Sequence, residues 1–437
     1  MTETKFVGRI SELKSIRSLV DKRAASLITL SGRRRVGKSR LAEVCAKDKV
    51  FYQFSGLPPT VTTSAQDQRN EFARQLSEQT NLPNIKTDDW GELFTLLAQK
   101  TYQEKTLVLF DEITWMAQND RNFLGKLKNA WDIHFSKHDD LTFILCGSVS
   151  AWVEKNIISS TGFLGRISQN IYLKELDLCE CMLLLDEMGF KHSLMEKITM
   201  LSVTGGIPWY LQQLNPNLSA MQNIKHLCFK RNSLLLNEYQ HIFTDLFGKR
   251  SAIFVAIVEL LAKKTCSYGV ISESLSYKGG SVLSEYLNEL ILSGFIQKDY
   301  TWSIKTQKIL KISHYRLSDN YLRFYFRYMS EKKEQIEQGA YENLNITALP
   351  GIEAVLGLQF ENIILSNRAL LHGCLNIEPQ EVVISNPYFQ RKNSRQMGCQ
   401  IDYLIQTKFK NLYVCEIKMS RNTVERKVID EVKEKVS

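Results

Sequence analysis

The stretch at residues 26–44, SLITLSGRRRVGKSRLAEV, constrains what this chain can fold into more than any other. Residues 27–30 form an apolar run of strand length. Gly32, Arg33, Arg34, Arg35, Val36, Gly37, Lys38 and Ser39 then match G-x-x-x-x-G-K-[ST] at every fixed position, and Arg40 to Val44 open a helical pattern. A strand, a glycine-bounded loop and a helix in that order make a phosphate cradle. Gly32 and Gly37 let the main chain curl, so that successive N–H groups point at phosphate oxygens. The helix start behind them adds partial positive charge. Residues 32–40 would line a nucleotide; Lys38 would reach the β- and γ-phosphates and the Ser39 hydroxyl would ligate Mg²⁺. A basic turn that contains two glycines is the plainer reading, and the match of both flanks argues against it. The expected fold class is α/β, with a nucleotide-binding core on a parallel sheet.

At 437 residues the chain is too long for one core, and about 150 residues per domain suggests roughly three. Hydrophobic residues at 44% and charged residues at 24% describe an ordinary globular composition. The net charge of +9 favours an anionic partner, most commonly nucleic acid, although a solvated lysine-rich surface gives the same figure. The cysteines are scattered, several inside apolar runs (Cys146 in FILCGS, Cys415 in YVCEI), and Cys179-x-Cys181 has no second pair at zinc spacing. A reduced cytoplasmic protein is expected. No signal peptide is recognisable, and the longest apolar stretches, around 141–153 and 251–262, are too short and interrupted to span a bilayer. No membrane partner is expected.

Phe6, Val7, Gly8 and Arg9 precede residues 11–20, where Leu13, Ile16, Leu19 and Val20 fall on one helical stripe with Ser11 as the expected cap. Residues 106–110 are an apolar strand ending in Asp111 and Glu112. The C-terminal ends of parallel strands face the ligand crevice, so both acids would lie beside bound phosphates. Asp111 would hold Mg²⁺, directly or through water, and Glu112 would orient and deprotonate the attacking water. An acid pair can also be a plain strand cap. Residues 141–147 form another buried strand, and Ser148 at its end is the candidate γ-phosphate sensor, a simple turn being the alternative. Arg166, in GFLGR, could stabilise charge on the γ-phosphate, in the same chain or from a neighbouring copy in a homo-oligomer. Thr204-Gly205-Gly206-Ile207-Pro208 marks a sharp turn inside a helical region, residues 178–237.

FVGR, GRRRVGKS, LVLFDE, CGS, FLGR and TGGIP, in this order, resemble the archaeal-type ATPases of the AAA+/STAND group. The resemblance implies a P-loop core, a helical lid and a winged helix, with ATP and Mg²⁺ as cofactors. It also implies that Phe6, Val7 and Gly8 pack against adenine and that Arg166 lies near the nucleotide. It identifies no sensor arginine in the lid.

From Arg250 the pattern changes. Ile253, Ile257, Leu260 and Leu261 share one helical face, residues 270–275 and 281–292 give two more helices, and 295–300 can pair with 309–315 as a hairpin. Three helices and a wing resemble a winged helix, with the third helix as a major-groove reader. Lys278, Lys298, Lys305, Lys308 and Lys311 cluster around that helix and the wing. DNA is one expected partner and another protein is the other. In the aromatic segment 315–326, Leu322, Tyr325 and Phe326 share a face suited to docking between domains. The segment resembles the DP-x-LRFWFRF signature that opens the C-terminal region of these ATPases, with Asn320 in place of proline.

Residues 401–405 and 412–418 read as two strands around a turn at Phe409. If the hairpin is symmetric there, Asp402 lies opposite Glu416, and Lys418 follows on the same face. Ile401, Tyr403, Ile405, Tyr413, Cys415 and Ile417 would form the apolar back. Opposed like charges are unfavourable unless a cation lies between them. This spacing resembles the PD-(D/E)XK nucleases, implying a C-terminal α/β restriction-endonuclease-like domain. In it Asp402, Glu416 and a helical Glu361 would bind Mg²⁺, and Lys418 would polarise the attacking water or the scissile phosphate. An ordinary charged hairpin, or a nuclease fold that keeps its shape without activity, fits the same residues.

The expected organisation is a P-loop core at 1–175, a lid at 176–248, a winged helix at 249–318 and a nuclease-like module at 319–437. The expected activity is Mg²⁺-dependent ATP hydrolysis that shifts the winged helix against the C-terminal module on DNA, with metal-dependent cleavage. The alternative is a nucleotide-controlled regulatory switch whose C-terminal acids are inert.

Overall fold

The computed structural model describes residues 5–60, 62–83, 85–102, 104–277, 280–392, 398–420 and 422–436. The chain divides into two compact units, Met1–Leu176 and Asp177–Ser437.

In the first unit, β1 (Ser26–Ser31), β2 (Val50–Ser55), β3 (Thr106–Asp111), β4 (Leu141–Gly147) and β5 (Ile167–Tyr172) form one sheet. The order is β2-β3-β4-β1-β5 and every pairing is parallel. β1 and β4 are buried throughout, which is why they read as continuous apolar runs rather than alternating ones. The core is aromatic: Phe54 stacks on Phe72 at 4.3 Å and meets Phe110 edge-on at 5.6 Å. This order sets the C-terminal ends of β3, β4 and β1 side by side, so the loops that follow them share one crevice. The first helix, Ile10–Val20, departs from expectation at its start. Arg9, in a left-handed conformation, holds the cap position, and the Ser11 hydroxyl instead donates to Glu12 at 2.6 Å.

The second unit opens with the helices Leu178–Glu187, Leu194–Thr204, Ala220–Cys228 and Leu234–Phe247. Asp177 with Glu180 and Ser219 with Gln222 close capping boxes at two of their starts. Pro208 stands in the first turn of a short helix, Pro208–Leu211, just past the glycine pair. Three further helices, Ser251–Lys263, Tyr268–Ser274 and Ser281–Leu292, accompany an antiparallel sheet. Its strands are β6 (Cys266–Ser267), β7 (Ile296–Trp302) and β8 (Ile309–Leu317), in the order β6-β8-β7. Lys278 lies outside the described residues. The aromatic helix Asn320–Tyr328 docks as its pattern implies: Tyr325 stacks on Tyr239 at 4.6 Å, and the Tyr321 hydroxyl donates to the Leu235 carbonyl at 2.6 Å.

A second antiparallel sheet holds β9 (Val382–Gln390), β10 (Cys399–Thr407) and β11 (Leu412–Cys415), in the order β11-β10-β9. Tyr403 pairs with Cys415 and Leu404 with Val414, so the hairpin is symmetric about Phe409; β11 ends at Cys415, so the expected strand to residue 418 stops short and Asp402 and Glu416 lie just past the last paired residues. The expected apolar back needs one correction. The β9–β10 register shifts between Ile401 and Leu404. That irregularity breaks the simple alternation of faces, so Ile401 joins Leu404, Trp302 and Tyr388, while Tyr403 and Ile405 pack with Leu365 and Ile377.

The β7–β8 hairpin and this C-terminal sheet share a core. The fully buried Trp302 meets Tyr388 edge-on at 5.3 Å and donates to Gln406 Oε1 at 2.8 Å. Asn386 Nδ2 donates to the Tyr300 carbonyl at 3.0 Å. Buried Arg316 on β8 holds Asp299 at 2.9 Å and also donates to Asn362 of the helix Ile352–Ser366. Separating the two segments would expose that tryptophan and break the Arg316–Asn362 and Trp302–Gln406 bonds, which is unfavourable.

All the cysteines are free thiols. Among the described residues no helix is long and apolar enough to cross a membrane.

Candidate active site

The loop between β1 and the helix Lys38–Cys45 needs both its glycines. Gly32 has φ +147°, and a Cβ there would sit 2.3 Å from the Leu173 carbonyl oxygen; Gly37 has φ +93° with open space around it. Lys38, buried at the helix start, folds back over the loop. Its Nζ donates to the carbonyls of Gly32 and Arg33, each at 2.9 Å, and to Ser148 Oγ at 3.0 Å. The Ser148 hydroxyl donates in turn to Glu112 Oε1 at 2.6 Å, and its main-chain N–H to Glu112 Oε2 at 3.3 Å. Glu112 has φ +51°, a left-handed conformation rare for this residue. That backbone turns its carboxylate from the end of β3 towards the end of β4. Next to this chain the Ser39 hydroxyl donates to Asp111 Oδ2 at 2.5 Å. A hydroxyl and a carboxylate in contact are the hard oxygen donors that a magnesium ion takes, so the pair fits such an ion.

The structure thus brings together Lys38, Ser39, Asp111, Glu112 and Ser148. Other expected residues are turned elsewhere. Arg33 is buried in an ion pair with Glu175 at 2.6 Å, and Arg40 pairs with Glu43 at 3.0 Å. Arg34, Arg35 and Val36 complete the loop, with Arg35 at φ +69°. Phe6, Val7 and Gly8 lead into the first helix, half-buried. Arg166 is held by Asp132, through Nε at 2.7 Å and Nη2 at 2.9 Å. Lys128 adds a further contact to Asp132 at 2.9 Å, and these partners hold the Asp132 carboxyl down at about 2. Sequence reasoning passed over Arg9. Its buried guanidinium donates to the Lys174 carbonyl at 2.6 Å and to the Val36 carbonyl at 3.2 Å, tying the entering segment to the back of the loop. The arginine of FVGR was the available signal.

In the second unit Asp402 Oδ2 accepts the Ile417 N–H at 2.9 Å. Burial, with the Asp402 charge adding to it, pushes the Glu361 carboxyl up to about 7. Burial also raises Asp402. Glu416 is different. Burial works upward on it, but the hydrogen bonds of two lysines outweigh that and hold it below its ordinary range. Lys418 Nζ sits 2.8 Å from Oε1, and Lys435 Nζ, from the helix Lys427–Val436, sits 2.7 Å from Oε2. Both carboxylate oxygens are thereby taken by ammonium groups. Among the described residues no three ligating side chains gather as a metal site. The expected set of Glu361, Asp402 and Glu416 does not fit a divalent ion in this arrangement.

The family model described as an ATPase domain predominantly from Archaea matches residues 6–214. An uncharacterised protein of Methanocaldococcus jannaschii, MJECL04, is 26% identical over 360 residues, covering 82% of this chain and 76% of its own length. Among solved structures, the Walker-type ATPase PABY2304 of Pyrococcus abyssi is similar in fold, with a TM-score of 0.52 and 17% identity, over 75% of this chain and 98% of its own. The matched segment contains the glycine-bounded loop, the acid pair after β3 and the parallel sheet that aligns them. Residues 6–214 of this chain match that family of ATPase domains predominantly from Archaea.

Proposed function

We propose that the first unit hydrolyses ATP with Mg²⁺. The observation that carries this is the convergence of two contacts at neighbouring strand ends, Ser39 with Asp111 and Lys38 with Ser148 and Glu112. Ser39 and Asp111 would hold the ion, which supplies charge neutralisation between the β- and γ-phosphates. Lys38 exchanges its carbonyl and hydroxyl partners for phosphate oxygens. The Ser148 hydroxyl turns its one O–H from Glu112 to the γ-phosphate, which frees that Glu112 oxygen for the attacking water. Glu112 takes a proton from the attacking water as its oxygen bonds to the γ-phosphorus, and the bond to the β–γ bridging oxygen breaks to leave ADP. Arg166 contributes once it leaves Asp132 for phosphate. Calorimetry with Mg·ATP tests the reading; no binding by the intact protein would refute it.

For the second unit we infer a nucleic-acid-binding module built on a winged helix and a nuclease-like domain, controlled by the nucleotide and without cleavage of its own. The two lysines on Glu416 favour this over a nuclease, because they occupy both oxygens a metal would need. Metal-dependent cutting of plasmid DNA that disappears in Asp402→Ala would restore the nuclease reading.

A further inference from the structure

The helix that the winged-helix pattern offers to a major groove has the wrong charge for that role. Ser281–Leu292 contains no lysine or arginine. Its exposed residues include Val282, Ser284, Glu285 and Asn288, and Glu289 is engaged by Arg250 at 2.8 Å. Laid along a duplex, this helix would bring Glu285 towards a row of phosphates.

The hairpin tip is the opposite. Residues 304–311 are all exposed and include Lys305, Lys308 and Lys311. Ile309 and Leu310 stand among them, 60% and 41% exposed. Between Trp302 and Ser318 the sequence contains no aspartate or glutamate. A second positive element adjoins the first. Phe389, near the end of β9, packs on His314 of β8 at 4.4 Å, and the charge of Arg391 acts on that histidine. Arg391 and Lys392 are exposed, and no acid occurs from Val382 to Ile401. The bonds from Trp302 to Gln406, from Asn386 to Tyr300 and from Gln406 Nε2 to the Ile304 carbonyl at 2.9 Å fix the base of the tip against β10 and β9. The backbone that carries these cations is therefore held in place before any partner arrives.

We propose that the second unit grips duplex nucleic acid through the β7–β8 tip and the end of β9, with the Ser281–Leu292 helix held off the bases. Lys305, Lys308, Lys311, Arg391 and Lys392 contact phosphates, while Ile309 and Leu310 enter a groove, where a two-stranded ribbon fits. The projecting shape with an apolar apex favours a groove over the flat face of an acidic protein. This rests on the nucleic-acid reading given above and names the surface responsible.

The test is fluorescence anisotropy of the full chain with a labelled mixed-sequence duplex across a salt series. Replacing Lys305, Lys308 and Lys311 with Ala should weaken binding about tenfold or more, and flatten the plot of log affinity against log salt by about 0.9 per lysine. Arg391→Ala with Lys392→Ala should flatten it by about two such steps, and Glu285→Ala with Asn288→Ala should leave binding within about twofold. All these side chains are exposed, so melting temperatures should stay at wild type and loss of fold will not mimic loss of contact. Equal binding by the triple-lysine variant, or loss in the helix variant, overturns this inference and leaves the nucleic-acid reading standing. No duplex binding by the wild-type protein, or capture only by anionic vesicles, overturns both.

Discussion

Lys38 reaches three oxygens at once, and each is one that a phosphate would replace. Lys38→Ala should reduce Mg·ATP affinity about 100-fold or more by calorimetry. Glu112→Gln should keep nucleotide binding while lowering hydrolysis about 10²- to 10⁴-fold in a phosphate-release assay. The two glycines separate on stability. Gly32→Ala drives a Cβ into the Leu173 carbonyl and should cost about 2–4 kcal/mol. Gly37→Ala meets no atom and should cost only the backbone penalty, about 1–2 kcal/mol; thermal melts of the two variants check the difference. The motif named these residues because their chemistry is local to eight positions. It was silent on Glu175 and Asp132, the partners of Arg33 and Arg166, since pairing across the fold leaves no periodicity in the chain.

The β7–β8 hairpin was legible as two segments that could pair, but not its burial against β9, because a strand's partner is set by tertiary packing rather than by propensity. The shift in β10 was equally hidden: one irregular residue reassigns Ile401 to a different core without altering composition. Trp302→Ala should destabilise the second unit by about 3–5 kcal/mol in urea titrations. His314 adds a dependence on pH. Burial lowers its affinity for a proton, and Arg391 lowers it further. An unfolded chain protonates this ring near the ordinary value, about 6.5. Below that pH the unfolded state binds more protons than the folded one, so the contribution is intact above it and lost as pH falls. His314→Gln should show a smaller drop in urea midpoint than wild type between about pH 7.5 and 5.5.

Across the whole molecule, the ordered motifs announced an ATPase core followed by a region of different pattern, and the two compact units divide at Leu176. Residues 177–437 contain the two small sheets and their shared core. Made as a separate fragment, they should melt in one cooperative transition by calorimetry. The Trp302–Gln406 bond has a consequence for descent as well as for stability. A gene fusion that exchanged everything after the aromatic helix for another tail would leave the indole facing water and its hydrogen bond unmade. Recombination in this lineage should therefore have inherited hairpin and tail as one cassette, with crossovers tolerated only upstream of both.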